Sequence, residues 1–131
     1  MTAVVAASVL VAALTDGGSQ GAWSEAVLED GTPVAPNLVL VEAANVLRRL
    51  ERTNELTRGE ATAAHRDLLA IDIVLLPFSP FADRVWELRR TMTCYDAWYV
   101  AVAETSRLPL ATLDRRLSRA SGASCRFLLP R

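Results

Sequence analysis

Lysine is absent from this chain. All 14 basic residues are arginine, set against 15 acids and one histidine, for a formal charge of −1. Such a balance gives no global attraction to nucleic acid, so any nucleic-acid site has to be local. Arginine suits bidentate phosphate contact, but a complete lack of lysine reads first as the compositional bias of a GC-rich source. Cysteine is scarce as well. Cys94 and Cys125 are too few for a disulfide framework and form no C-x-x-C metal pair, which leaves reduced thiols in a cytoplasm as the simplest reading. A Cys-His enzyme is remote, because Asp96 opposes a thiolate at Cys94 and the one histidine, His65, reads as a structural or solvated helix residue.

Long apolar runs are missing too. Ala3 to Leu14 is apolar, but it is too short to span a bilayer and has no preceding positive charge. Asp16-Gly17-Gly18 follows it in place of a small-residue cleavage site, so it reads as structure and the chain as one without a membrane role. There is no repeat, linker or low-complexity segment. What remains is 131 residues, 51% of them hydrophobic, enough for one domain over 1–131 with a real core.

Apolar runs and helical patterns alternate along the chain. Val4 to Ala7 reads as a fully buried strand leading into a short helix, Val9 to Leu14. Ala22 to Asp30 reads as a second helix, Pro33 to Ala35 as a brief extended piece, and Asn37 to about Arg52 as a longer helix with basic residues in its last turns. Thr57-Arg58-Gly59-Glu60 is a capping box for a helix to about Ala70, followed by an apolar run, Ile71 to Pro77, read as a strand. Ser79-Pro80 predicts a helix through Met92, and Tyr95 to Glu104 a helix apolar nearly all round. Leu110 to Leu113 then reads as a buried strand, Arg115 to Ala120 as a helix stopped by Gly122, and Cys125 to Leu129 as a last strand. This alternation predicts a three-layer α/β/α sandwich around a mainly parallel sheet.

Three acids stand out. Asp96 lies in a first helical turn and Asp114 at the carboxyl end of a strand, the edge where ligands collect in open α/β sheets. Each also has a plain reading, Asp96 in a capping box with Thr93 and Asp114 as an N-cap. Glu42 has Leu38, Val39 and Val46 as helical neighbours and so lies on or beside the apolar face. A bare charge there is costly, so it is paired with an arginine, hydrogen-bonded or holding a cation, the arginine pair being the first expectation.

The ordered set VVAASVLVAAL, VEAANVLRR, YDAWYVAVAE and PLATLDRRL resembles the PIN-domain family nearly end to end, and within it the VapC toxins of bacterial toxin–antitoxin pairs. The resemblance implies a metal-dependent endoribonuclease whose carboxylates meet at the carboxyl edge of the sheet around magnesium or manganese. A hydrated divalent ion activates the attacking water and offsets charge on the phosphate. By position, Glu42, Asp96 and Asp114 look like three of those carboxylates and Thr112 like the accompanying hydroxyl. The resemblance also implies an RNA substrate, structured RNA such as tRNA, a VapB-type antitoxin partner, homodimerisation and a cytoplasmic setting.

The first family aspartate is missing: the chain has Ala6 before Ala7-Ser8. Alanine cannot ligate, so a catalytically crippled form is expected. Two origins fit it, decay of a paralogue and, favoured because the other motif positions are intact, a substitution that disarms a toxic enzyme. The alternative function is a non-catalytic PIN-like module binding RNA or an antitoxin. A phosphoacceptor receiver domain also gathers acids at this edge, but it relies on a lysine.

Overall fold

The computed structural model describes residues 2–131. Its five strands are β1 (Val4–Val5), β2 (Val34–Pro36), β3 (Val74–Leu76), β4 (Leu110–Ala111) and β5 (Phe127–Leu128). They lie in the order β3-β2-β1-β4-β5, and every neighbouring pair is parallel. The expected mainly parallel sheet is therefore wholly parallel among the described residues. Its strands are shorter than the apolar runs suggest. Ala6 shows why: its N–H donates to Ala111 while its carbonyl already accepts from Val9 and Leu10, so the chain turns helical at once.

Between the strands run α1 (Ala7–Thr15), α2 (Ser19–Glu29), α3 (Val39–Arg52), α4 (Arg58–Ala70), α5 (Ala82–Leu88), α6 (Cys94–Ser106) and α7 (Arg115–Ser118). The first two crossovers step from β1 to β2 to β3 in one direction, whereas β4 and β5 lie on the other side of β1. Right-handed crossovers then put α1 to α4 on one face and α5 to α7 on the other. The packing agrees, with α1 touching α2, α3 and α4 while α6 crosses β1, β2 and β4. This is the expected α/β/α sandwich. No helix among the described residues is long and apolar enough to cross a membrane.

Helical periodicity accounts for the two layers. Val39, Ala43 and Leu47 bury one stripe of α3, and Ala61, Ala64 and Leu68 one stripe of α4. Helix α6 is buried along the whole run from Ala97 to Ala103, as its all-round apolar pattern predicts. Thr57 and Glu60 form the expected capping box. Helix α2 starts earlier than read from sequence because Gly21 lets it lie on the preceding turn. A Cβ there would sit 1.7 Å from the Asp16 carbonyl oxygen.

The helix expected from Ser79 to Met92 is corrected. Ser79–Phe81 is a 3-10 turn without a side-chain cap, and α5 ends at Leu88, whose carbonyl accepts from both Thr91 and Met92. The longer helix expected from Asn37 likewise begins at Val39.

Glu104 near the end of α6 ties these parts together. Arg84 donates to it through Nε (2.8 Å) and Nη2 (3.0 Å), and Ser124 N–H through a 2.7 Å bond. Arg84 also reaches the Gly122 carbonyl (2.8 Å), which holds the strand β5 approach against α5. Arg84 holds the Glu104 carboxyl below its ordinary value. A depressed folded-state pKa means stability present above the ordinary value and lost as pH falls through the folded one. Glu104→Ala should cost about 1.5–3 kcal/mol in urea unfolding at neutral pH, the usual range for charged hydrogen bonds. That deficit should shrink on acidification below pH 4.5, and Glu87→Ala, at the exposed end of a 3.4 Å contact, should change little.

Candidate active site

The strand order reverses between β1 and β4, and at such a switch point the carboxyl ends of the two strands open a crevice. Val4 pairs with Leu110 and Val5 with Ala111, so Ala6 and Thr112 leave the sheet side by side. The segment after β4 is then pinned. Leu113 N–H donates to Ser8 Oγ (3.2 Å), and Asp114 N–H to Oγ1 of the buried Thr112 (3.0 Å). These two hydroxyls fix Asp114 at the mouth of the crevice.

Asp114 is an N-cap, as its plain reading predicted. Its Oδ1 accepts from Arg116 N–H (2.9 Å) and Leu117 N–H (3.4 Å) at the start of α7. Capping occupies one carboxylate oxygen. Oδ2 takes no hydrogen bond among the described residues.

Asp96 reaches the same edge from the other layer. Helix α6 ends just before β4 begins, so its first turn, with Asp96, lies at the sheet's carboxyl edge. Thr93 caps the helix by accepting from Asp96 N–H (3.1 Å). Only this half of the expected capping box forms, so the Asp96 carboxylate is not consumed by the Thr93 backbone. Asp96, Asp114, Thr91, Thr93 and Arg116 line one concavity of about 260 Å³.

Glu42 arrives on the first turn of α3, directly after β2. The arginine partner expected for it is not there. Tyr99 on α6, 3% exposed, donates its hydroxyl to Glu42 Oε1 instead. Tyr99 was not singled out from sequence, although it lies one helical turn beyond Asp96 and that spacing puts both on one face.

The charges interact in a chain. Burial raises the pKa of Glu42, the Tyr99 hydrogen bond opposes this, and the negative charge of Asp96 raises it further. Burial likewise raises Asp96, with the charge of Asp114 adding to it and Thr93 and Arg116 opposing. Burial and the Glu42 contact push the Tyr99 phenol far up, so it stays a neutral donor. Arg116 is a weak counter-charge, 93% exposed and 3.8 Å from Asp114.

Hard carboxylate oxygens suit magnesium or manganese. The number of them does not, for no group of three or more His, Cys, Asp or Glu side chains among the described residues could hold an ion. The residues present therefore do not fit a protein-held divalent ion as they stand. The other candidates stay outside the site, with His65 exposed on α4, and Cys94 and Cys125 unpaired. Burial raises the Cys125 thiol to about 11, which makes it unreactive.

The PIN domain family model matches residues 3–123. This chain belongs to the PIN-domain family. It is 35% identical over 129 residues to Ribonuclease VapC1 of Mycobacterium tuberculosis, covering 98% of this chain and 97% of that one. Among solved structures, Mycobacterium tuberculosis VapC20, described as a Sarcin-Ricin loop cleaving toxin, superposes with a TM-score of 0.69. That match covers 99% of this chain and 100% of the other at 18% identity. A chain of VapBC2 from Rickettsia felis, bound to a fragment of its promoter DNA, gives 0.68 at 14% identity, covering 98% of each. Both likenesses are of fold.

The raised acids predict a specific pH response of this PIN domain. A carboxyl whose folded pKa lies above its ordinary value contributes stability that is full below that value and is lost as pH rises through the folded one. Glu42→Gln, which keeps an acceptor for Tyr99, and Asp96→Asn should therefore each raise the urea midpoint at pH 7. The gain should fade as pH falls toward the ordinary values of 4.5 and 3.8. Parallel urea titrations at pH 7 and pH 4 check this, and a gain that is the same at both would contradict it.

Proposed function

We propose that this PIN domain is the toxin of a type II toxin–antitoxin pair, a VapC-type endoribonuclease that Ala6 has disabled. The observation that carries the reading is the pair Asp96 and Asp114 facing one concavity at the carboxyl edge of the sheet, with Glu42 coupled to Asp96 from the opposite layer. Likeness to Ribonuclease VapC1 over nearly its full length supports the same activity. In this reading Asp96, Asp114 and Glu42 would hold magnesium or manganese only once a carboxylate stands at position 6, and Thr112 holds Asp114 in place. The substrate is RNA, with structured RNA such as tRNA favoured, and the setting is the cytoplasm.

A VapB-type antitoxin is the proposed partner. Support comes from the VapBC2 neighbour and from a groove of about 620 Å³ between α1 and α3. The groove is lined by Val11, Ala12, Val46, Leu50 and Leu56, and it ends at Ser8 and Leu113 beside the acidic site. It has the apolar lining a docked peptide needs.

A non-catalytic module that holds RNA or an antitoxin is the second reading. The lack of a three-ligand group favours it for the chain as it stands. Ala6→Asp separates the two. Expected is magnesium- or manganese-dependent cleavage of RNA by the Ala6→Asp form, abolished by adding Glu42→Gln or Asp96→Asn. Intact RNA, transfer RNAs included, with either metal leaves the binding module standing.

Stability gives an independent check. A further carboxylate should make the Ala6→Asp form on the order of 1–3 kcal/mol less stable in chelator at neutral pH, by Coulomb repulsion at an effective dielectric near 20. Excess magnesium should close or reverse that gap, because an ion that binds only the folded state stabilises it by mass action. Equal metal-induced shifts in the melting of both forms would put position 6 outside the acidic cluster.

Homodimerisation is also part of the reading. Edge strand β3 leaves Val74 and Leu75 46% and 36% exposed, and Phe78 just after it 43% exposed. An uncovered apolar edge of this kind is a site for association. Val74→Glu with Leu75→Arg should convert a dimer to a folded monomer in sedimentation velocity, and an unchanged dimer would place the interface elsewhere.

A further inference from the structure

The last turns of α3 present three arginines with no side-chain partner among the described residues. Arg48, Arg49 and Arg52 are exposed and, with Asn45 and Thr53, line a concavity of about 370 Å³. No carboxylate lies within ion-pair reach of any of them among the described residues. The nearby acids do not change this. Glu55 takes the Thr53 hydroxyl (2.7 Å), and Glu51, which shares a cavity toward α4 with Arg48, Thr62 and His65, makes no ion pair with that arginine.

Capping does not explain the arginines. The terminal carbonyls of α3 are already used by backbone donors: Arg49 O by Thr53, Glu51 O by Asn54, and Leu50 O by Glu55 and Leu56. Asn54, in the left-handed region at φ 62°, closes that turn. No arginine side chain is needed there. Some arginines elsewhere are committed, Arg84 to Glu104, Arg89 over the Trp86 ring and Arg115 to the Pro130 carbonyl; what sets the α3 group apart is that three guanidiniums free among the described residues share one concavity. The α3 group is an uncommitted positive cluster on a chain of net charge −1.

Its position relative to the acids is the second observation. Glu42, Asn45, Arg49 and Arg52 recur at helical spacing and form one stripe along α3. At about 1.5 Å per residue, Arg49 and Arg52 lie about 10 and 15 Å along the axis from Glu42. A nucleic-acid strand advances about 3.4 Å per nucleotide, so the arginines are about three to four nucleotides from the acidic site. Arg49 also lines the groove that ends at Ser8 and Leu113, so the two concavities meet at this residue.

We propose that Arg48, Arg49 and Arg52 form a phosphate-backbone docking site that holds the RNA strand a few nucleotides away from the acidic crevice. Planar guanidiniums donate bidentately to phosphate oxygens, and such bonds carry register without base sequence. The inference rests on the ribonuclease reading above and adds to it where the flanking strand runs.

The chain as it stands allows the test, since binding can be read at equilibrium by fluorescence anisotropy. The probes are unfractionated transfer RNA and a 20-nucleotide single-stranded oligoribonucleotide, each from 50 to 200 mM salt. Arg48→Gln/Arg49→Gln/Arg52→Gln should weaken binding at least tenfold at the lower salt and make the slope of log affinity against log salt shallower by about 2, at roughly 0.7 for each phosphate no longer neutralised. The triple lysine variant should keep most of that slope, which separates removal of charge from a disturbed helix. Arg66→Gln with Arg90→Gln should bind as the parent does.

Three results overturn the proposal. If the parent binds RNA with a steep salt dependence and the glutamine variant matches it, the docking site is wrong while the ribonuclease reading stands. If the parent binds neither probe, both fail. If the glutamine variant keeps RNA affinity but no longer captures the co-expressed neighbouring antitoxin, the cluster is a protein contact instead.

Discussion

Val4 and Val5 pair with Leu110 and Ala111 across the point where the strand order reverses, and this parallel register sets the positions of Ala6, Thr112 and Asp114 at the acidic site. Because both strands run the same way, Ala6 and Thr112 emerge together at one edge. The hydroxyls of Ser8 and Thr112 then hold the backbone that carries Asp114. A slip of one residue in this register would turn Thr112 and Asp114 to the other face of the sheet. Such a slip is resisted by burial: Val4, Val5, Leu110 and Ala111 are all fully inaccessible, so each has a neighbour to lose on either face.

Convergence at this edge imposes an electrostatic burden. Asp96 and Glu42 come from helices in opposite layers, and both are held where burial disfavours their charge. Asp114 spends one oxygen on the α7 cap, while Glu42 receives a proton-bearing partner from α6 through Tyr99. These are local compensations and they leave the acids still repelling one another. A fold optimised for stability alone would gain by replacing them, which is the pattern that candidate functional sites show.

Much of this is legible in the sequence. The alternation of apolar runs with helical patterns specifies the sandwich, Thr57 and Glu60 form the capping box their spacing predicts, and the carboxyl-edge placement of Asp96 and Asp114 follows from their junction positions. The features that sequence misplaces have particular causes. Apolar runs overstate strand length because they do not show where a backbone carbonyl switches from ladder to helix, as Ala6 does. The end of α5 escapes a sequence reading because the helix closes on the Leu88 carbonyl through the N–H groups of Thr91 and Met92 and the Thr91 hydroxyl, with no glycine or proline to mark the stop. An arginine is the wrong partner for Glu42 because sequence offers many arginines and no sign that Tyr99 of α6, in the opposite layer, reaches across the carboxyl edge of the sheet to it.

Helix α3 connects these threads. Glu42 in its first turn and Arg49 and Arg52 in its last are each on the favourable end of the helix dipole, worth roughly 0.3–1 kcal/mol per charge at exposed positions. Local stability would thus accept this polarity whatever the protein does. Glu42, however, is half-buried and held by a buried tyrosine, so its placement exceeds what the dipole requires. Among the described residues the arginines remain without ion partners although acids are plentiful in the chain. One rigid helix thereby separates an acidic end that suits bond cleavage from a basic end that suits phosphate. Their separation is fixed by helical rise, not by flexible loops.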